Sequence, residues 1–166
     1  MNSTSWDQFH CRIPINATIR AIYQKWTTQK GLESWFLRLA EFRDSDGNIR
    51  PRDEYVQQGD QFHWLWHGYS DEHGEKRSIL AANGLDTIQF GFSDNTTVEV
   101  KIYREQGMTI VDLHQTNITY KDIPKDNLHV QCSICWTFYL ANLKSIMEGG
   151  IDLRNKDVTL QNVITA

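Results

Sequence analysis

The sequence predicts an α+β fold: a curved antiparallel sheet of about six or seven strands around a long C-terminal helix, with two short helices near the N-terminus. Three observations lead there. From residue 37 to residue 115, strand-length segments follow one another with only short turn-forming clusters between them, as in a meander of hairpins. A broad apolar face then runs from Ile134 to Met147 and stops at Gly149-Gly150, the pattern of a long helix closed by glycine. A sheet with one apolar face has to bury it, and this helix is the element available to cover it.

The elements follow in order. Phe9, Cys11 and Ile13 alternate with Gln8, His10 and Arg12, a first strand that Pro14 is expected to end. Asn16 offers an N-cap for a helix over 17–26, with Ile19, Ile22, Tyr23 and Trp26 on one face. Thr28 opens a second short helix with Leu32, Trp35 and Phe36 on its apolar side. A strand over 37–43 ends at the turn Asp44-Ser-Asp-Gly-Asn48, and the polar segment 49–59 reads as a connection. Strands follow at 61–67, 75–82, 87–92, 97–103 and 108–117, spaced by turns at 71–74, 83–84, 93–95 and 105–107. The last helix spans about 125–148. One domain is expected over residues 6–155, with flexible tails at 1–5 and 156–166.

Composition excludes several classes. With 40% hydrophobic and 23% charged residues, the chain is neither disordered nor fibrous. No run approaches the roughly 20 apolar residues that span a bilayer, and the first residues lack the basic start and apolar centre of a signal peptide, so a cytoplasmic protein is expected. A net charge of −4 without a basic block argues against nucleic acid as a partner. Three cysteines in such a chain are expected as reduced thiols. The unusual quantity is aromatic: six Trp, six Tyr and seven Phe, enough large rings for a sizeable core or the lining of a sizeable hole.

Alternation says which residues face the helix. Phe62, Trp64 and Trp66 share a face, as do Ile88, Phe90 and Phe92, then Val98, Val100 and Ile102, then Thr109, Val111 and Leu113. Gln89, Glu99, Lys101 and Asp112 point to water.

The motifs that could carry chemistry are weak. Cys132-Ser-Ile-Cys135 has the spacing of a redox pair, but it falls inside the helix, away from the N-terminal position that would stabilise a thiolate. Adding His129 gives a helical climb past the reach of one tetrahedral ion, so no metal is expected. His63 and His67 on a strand stand about 13 Å apart and cannot share an ion. His114 beside Asp112 is the better acid–base pair, yet it lies on the face assigned to water. No catalytic residue and no cofactor are assigned.

The segment from Ile19 to Phe36, IRAIYQKWTTQKGLESWF, resembles the opening helices of the START-like (SRPBCC, Bet v 1-like) superfamily, in particular its bacterial branch related to the heat-shock-protein-90 ATPase activator. The stretches GDQFHWLWHG at 59–68, LDTIQFGF at 85–92, WTFYLANLK at 136–144 and EGGIDLR at 148–154 are similar as well. Cys135 stands before Trp136 where glycine is more usual in that family. The resemblance implies a helix-grip fold with a cavity between sheet and long helix that takes a lipid, sterol, polyketide or other apolar molecule. The family's catalytic members use polar cavity residues with no positional match in this chain.

The function expected from the sequence is therefore binding of a small hydrophobic ligand in an internal cavity. Its expected lining is Trp64, Trp66, Phe90, Phe92, Val100 and Leu113 from the sheet and Trp136, Tyr139, Leu140 and Leu143 from the helix, with Trp35 and Phe36 near the entrance. Two alternatives remain: a co-chaperone-like module whose partner is a heat-shock ATPase, and an enzyme acting on an apolar substrate. An edge strand and an aromatic surface also make a homodimer possible.

Overall fold

In the computed structural model, which describes residues 5–160 and 163–164, the chain runs β1 (Phe9–Ile15), α1 (Ile19–Thr27), α2 (Gln29–Trp35), β2 (Leu39–Arg43), β3 (Gln61–Leu65), β4 (Glu75–Ala82), β5 (Thr87–Phe92), β6 (Thr96–Glu105), β7 (Met108–Thr116) and α3 (Leu128–Met147). Of the tails expected at 1–5 and 156–166, residues 1–4, 161–162 and 165–166 lie outside the described residues. The seven strands form one antiparallel sheet in the order β1-β7-β6-β5-β4-β3-β2. Consecutive strands from β2 to β7 are neighbours, as short turns dictate, and β1 closes the far edge against β7 with Cys11 opposite Leu113. A register shift between Ile79 and Ala81 bends β4 where it meets β5.

Alternation sorts the sheet as expected. Phe62, Trp64, Ile88, Phe90, Val98, Val100, Ile102, Val111 and Leu113 are all buried. They form one core with Ile22, Tyr23 and Trp26 of α1, Leu32 and Trp35 of α2, and Trp136, Leu140 and Leu143 of α3. Gln115 continues the inward row of β7 as a buried polar side chain.

The helix starts are set by local capping chemistry. α1 is capped by Thr18, whose side chain accepts from Ala21 N at 3.1 Å, rather than by Asn16. The Asn16 backbone N–H donates instead to Glu148 Oε1 at 2.8 Å. Pro14 does not end β1. It pairs opposite Ile110 on an edge strand, where a missing N–H costs no ladder bond. Thr28 caps α2 through Gly31 N at 2.9 Å, and a Cβ at Gly31 would collide with the Gln24 carbonyl, so glycine here permits the close α1–α2 approach. α3 begins at Leu128, later than expected, because Asn127 accepts from Val130 N at 3.2 Å. Gly149, at φ +83°, follows its end.

Among the described residues beyond α3 there is no helix or strand, yet the segment is tied down. The Arg154 side chain is 1% exposed and donates to the carbonyls of Leu37 at 3.1 Å, Ser34 at 3.1 Å and Glu33 at 3.2 Å, while Asp152 Oδ2 accepts from its Nη2 at 2.7 Å. Asn142 of α3 donates to Trp35 O at 2.7 Å and accepts from Leu153 N at 2.7 Å. These bonds lock α2, α3 and the C-terminal segment together at one end of the grip. No helix among the described residues is long and apolar enough to cross a membrane.

Candidate functional site

At the other end of α3 the packing opens into a groove of about 430 Å³, within the size range of small-molecule pockets. One stripe of α3 forms a wall: Leu128, Gln131, Cys132, Cys135, Trp136 and Tyr139, spaced at three and four residues. Opposite stand Trp66, Tyr69 and His73 from the β3–β4 connection, Glu75 at the start of β4, and Phe92 and Ser93 at the end of β5. Phe36, the residue that closes α2, completes the inner end.

The rings hold one another in edge-on and tilted contacts. Phe36 meets Tyr139 at 4.7 Å between centroids and an interplanar angle of 83°, Trp136 at 5.1 Å and Trp66 at 5.8 Å. Phe92 lies 5.3 Å from Trp136 and 6.3 Å from Trp66. Trp136 is fixed by its own polar edge: Nε1 donates to Gln115 Oε1 at 2.9 Å, and Gln115 Nε2 donates to Thr96 Oγ1 at 2.9 Å. A buried indole N–H needs such an acceptor.

Polar groups in the groove are few. Tyr139 is 6% exposed, and its hydroxyl has no hydrogen-bond partner among the described residues. Burial pushes this phenol well above its usual range and keeps it neutral. Burial also pushes the Cys132 thiol up to about 12 and raises Cys135, so neither behaves as a reactive thiolate despite the Cys-x-x-Cys spacing. Glu75 Oε1 accepts from Arg77 Nε at 2.8 Å. His73 Nδ1 lies 2.9 Å from Ser70 Oγ.

The sequence model of the family described as Activator of Hsp90 ATPase homolog 1-like protein matches residues 16–148. The chain belongs to that family. Solved structures agree in fold. The Aha1 dimer from Colwellia psychrerythraea is 18% identical, with a TM-score of 0.66 over 86% of this chain and 97% of that one. An Hsp90 activator from Plasmodium falciparum is 15% identical, with a TM-score of 0.60 over 85% of this chain and 96% of that one. An activator-homologue-like protein from Aeromonas hydrophila is 16% identical, with a TM-score of 0.55 over 86% and 92%. No curated protein sequence matches the chain at significance. The seven-stranded sheet gripping α3 is the helix-grip architecture of these activator homologues.

Within this activator-homologue fold, the residues expected to line a cavity divide into two groups. Phe36, Trp66, Phe92, Trp136 and Tyr139 line the groove. Trp35, Trp64, Phe90, Val100, Leu113, Leu140 and Leu143 lie beneath it in the close-packed core, with Trp64 stacked on Phe62 at 3.9 Å. Trp66 separates from Trp64 because β3 stops at Leu65, whose carbonyl accepts from Arg38 N at 2.8 Å. Tyr69, His73, Glu75, Ser93, Leu128, Gln131, Cys132 and Cys135 join the groove without having been expected there. A signal did exist for the helical members, since Leu128, Cys132, Cys135, Trp136 and Tyr139 share one helical stripe. Ile134, expected on the apolar face, is 65% exposed on the outside of α3.

The remaining histidines do not build a centre. Asp112 Oδ1 lies 3.0 Å from His10 Nδ1, not against His114, and Asp112 Oδ2 accepts from the Tyr103 hydroxyl at 3.1 Å. His114 instead lies 2.8 Å from Gln8 Oε1 and stacks on His10 at 3.9 Å, on the outer face of the sheet. His129 Nε2 meets Gln8 O at 3.2 Å, and its ring packs against Phe9 and Trp6. His67, expected on a strand, lies in the turn after β3, where it helps line a second, more polar cavity of about 690 Å³ with Arg38, Tyr69 and the C-terminal segment. Arg38 is paired there with Asp71.

Proposed function

We propose that this activator homologue binds a small apolar molecule in the groove between α3 and the β3–β4 connection. The observation that carries the proposal is the lining: rings from four separate elements converge around about 430 Å³ of open space, and the Tyr139 hydroxyl among them has no partner among the described residues. A fold that needed only a core would pack these rings shut, whereas a concave aromatic lining with few polar groups is how apolar ligands are held. Native mass spectrometry of the purified protein, followed by solvent extraction, tests it. A discrete adduct of a few hundred daltons that disappears in Trp66→Ala is the expected result. An adduct that persists unchanged in that variant would place the ligand elsewhere.

A second reading is favoured by family membership and by the likeness to the Plasmodium Hsp90 activator: a module that docks on a heat-shock ATPase. It predicts that the purified protein changes that ATPase's turnover, and an unchanged rate at saturating protein removes it. For assembly we infer a homodimer, because β1 and β2 are both sheet edges and the Colwellia structure is of a dimer. Sedimentation equilibrium decides that point.

A further inference from the structure

The groove has a sign. Among the described residues that line it, Glu75 is the one carboxylate, and no lysine or arginine takes part. The Glu75 side chain is 15% exposed. The Arg77 guanidinium is paired with it, Nε donating to Oε1 at 2.8 Å while Nη1 donates to Asn95 Oδ1 at 3.3 Å, and Glu75 Oε2 has no hydrogen-bond partner among the described residues. The Cys132 thiol, buried in the α3 wall, is raised first by burial; a hydrogen bond with Gln115 opposes this, and Cys135, Asp94 and Glu75 add smaller raising effects.

The rings carry the same sign. Phe36, Trp66, Tyr69, Phe92, Trp136 and Tyr139 surround the space, and the face of each presents the negative side of a ring quadrupole. A carboxylate entering here would give up its water beside Glu75, where the nearest guanidinium, that of Arg77, is already paired with Glu75 and no lysine or arginine belongs to the lining. A positive nitrogen would meet an aromatic lining, which attracts a cation wherever it offers a ring face, and a carboxylate oxygen that is free to accept.

Resting on the ligand-binding proposal above, we infer that the groove selects organic cations: flat apolar molecules bearing a protonated amine or a quaternary ammonium. The cationic nitrogen sits beside Glu75 Oε2, and the apolar body lies against Phe92, Trp136 and Phe36. The unpaired Tyr139 hydroxyl is left for a hydroxyl or carbonyl on the ligand. Fatty acids and other carboxylates are the molecules this lining excludes.

A matched set of probes tests the inference: naphthylmethyl-trimethylammonium, naphthylmethanol and naphthoate, titrated into the full chain by calorimetry. The three share one apolar body and differ in charge. The ammonium is expected to bind at least about tenfold tighter than the alcohol, and the carboxylate weakest. In Glu75→Gln the ammonium is expected to lose its advantage over the alcohol, and a circular-dichroism spectrum and unfolding midpoint like those of the unmodified protein show that the variant is folded. The ranking in the unmodified protein decides independently of the variant. Equal affinity for ammonium and alcohol, a carboxylate that binds as tightly as the ammonium, or a preference that survives Glu75→Gln overturns the cation inference and leaves the ligand-binding proposal standing. Absence of binding by all three probes overturns both.

Discussion

Trp136 on α3 and Gln115 on β7 are joined by a 2.9 Å hydrogen bond in which the indole Nε1 donates to Oε1, and both residues are buried. Through Gln115 Nε2 the bond extends to Thr96 on β6. Its consequence is positional: a ring that forms part of the groove wall is held by the sheet beneath it. Replacing Gln115 by Leu leaves the Trp136 N–H and the Thr96 hydroxyl unpaired in the interior. The expected cost is about 2 kcal/mol, the penalty for a buried donor without an acceptor. Urea unfolding at neutral pH measures it, and a change under about 0.5 kcal/mol would show that the bond does not hold the helix.

The division between core and groove separates two classes of tryptophan. Trp64 is 1% exposed and touches Phe62, Phe90, Phe42 and Phe36. Trp64→Ala should therefore cost about 3–5 kcal/mol. Trp64→Phe should cost much less, because the indole N–H of Trp64 has no acceptor among the described residues and its loss breaks no bond. Trp66 is half-buried at the groove. Trp66→Ala should change stability by less than about 1.5 kcal/mol while abolishing ligand uptake. Unfolding midpoints for the three variants, set beside native mass spectra, separate the effects. A Trp66→Ala protein that still carries its adduct would reject the assignment of the groove.

The strands were legible because period-two alternation survives wherever one face is buried, as at Val98, Val100 and Ile102. The helices were legible from Ile22, Tyr23 and Trp26 on one face and from the glycine stop at Gly149. Sequence pattern failed where a distant partner decided the outcome. Asn16 is a good capping residue, but its backbone serves Glu148 at the far end of the fold. Ile134 looked inward because α3 is apolar nearly all round, and on such a helix hydrophobicity does not choose a face. Tyr69, His73 and Glu75 were invisible as groove residues, since their approach to α3 depends on how the β3–β4 connection folds back. Arg154, in the stretch after the last helix to which no element was assigned, is bound to three backbone carbonyls through a geometry that no local pattern encodes.

That Arg154 cluster makes stability depend on acid. Burial alone would raise the Asp152 carboxyl, but the bonds from Arg154 at 2.7 Å and Lys156 at 2.9 Å outweigh it and hold the group well below the usual carboxylate range. A depressed native pKa binds fewer protons than the unfolded chain. Its stabilisation is therefore complete above the unfolded value of about 3.9 and is lost as pH falls below that toward the native value. Between pH 7 and pH 3 the expected contribution is about 1–2 kcal/mol, discounted for partial exposure to solvent. Asp152→Asn should flatten that part of the acid dependence in urea titrations. Arg154→Ala should cost about 3 kcal/mol at pH 7, because it leaves the carbonyls of Glu33, Ser34 and Leu37 without their donor and removes the guanidinium partner of Asp152. An acid profile unchanged in Asp152→Asn would assign the dependence to other carboxylates.

The three thiols report on the groove without any ligand being named. Cys132 is buried in the α3 wall with its pKa pushed up to about 12, so at pH 8 almost none of it is thiolate. Cys11 is half-buried between β1 and α3, its thiol 4.0 Å from Thr137 Oγ1, and burial raises it as well. Cys135 is exposed at the groove although burial of its surroundings raises its pKa. A maleimide at pH 8 should therefore modify Cys135 first and slowly, Cys11 later, and Cys132 only on unfolding. Intact-mass spectra over time, with peptide mapping, give the order. A molecule seated against Trp136 and Tyr139 also covers Cys135, one turn away on the same stripe, so a groove ligand should slow that first modification several-fold while leaving Cys11 unaffected. Protection of Cys11 instead would move the bound molecule to the β1 side of α3, and rapid labelling of Cys132 in the native protein would mean that the wall of the groove opens far more readily than its packing allows.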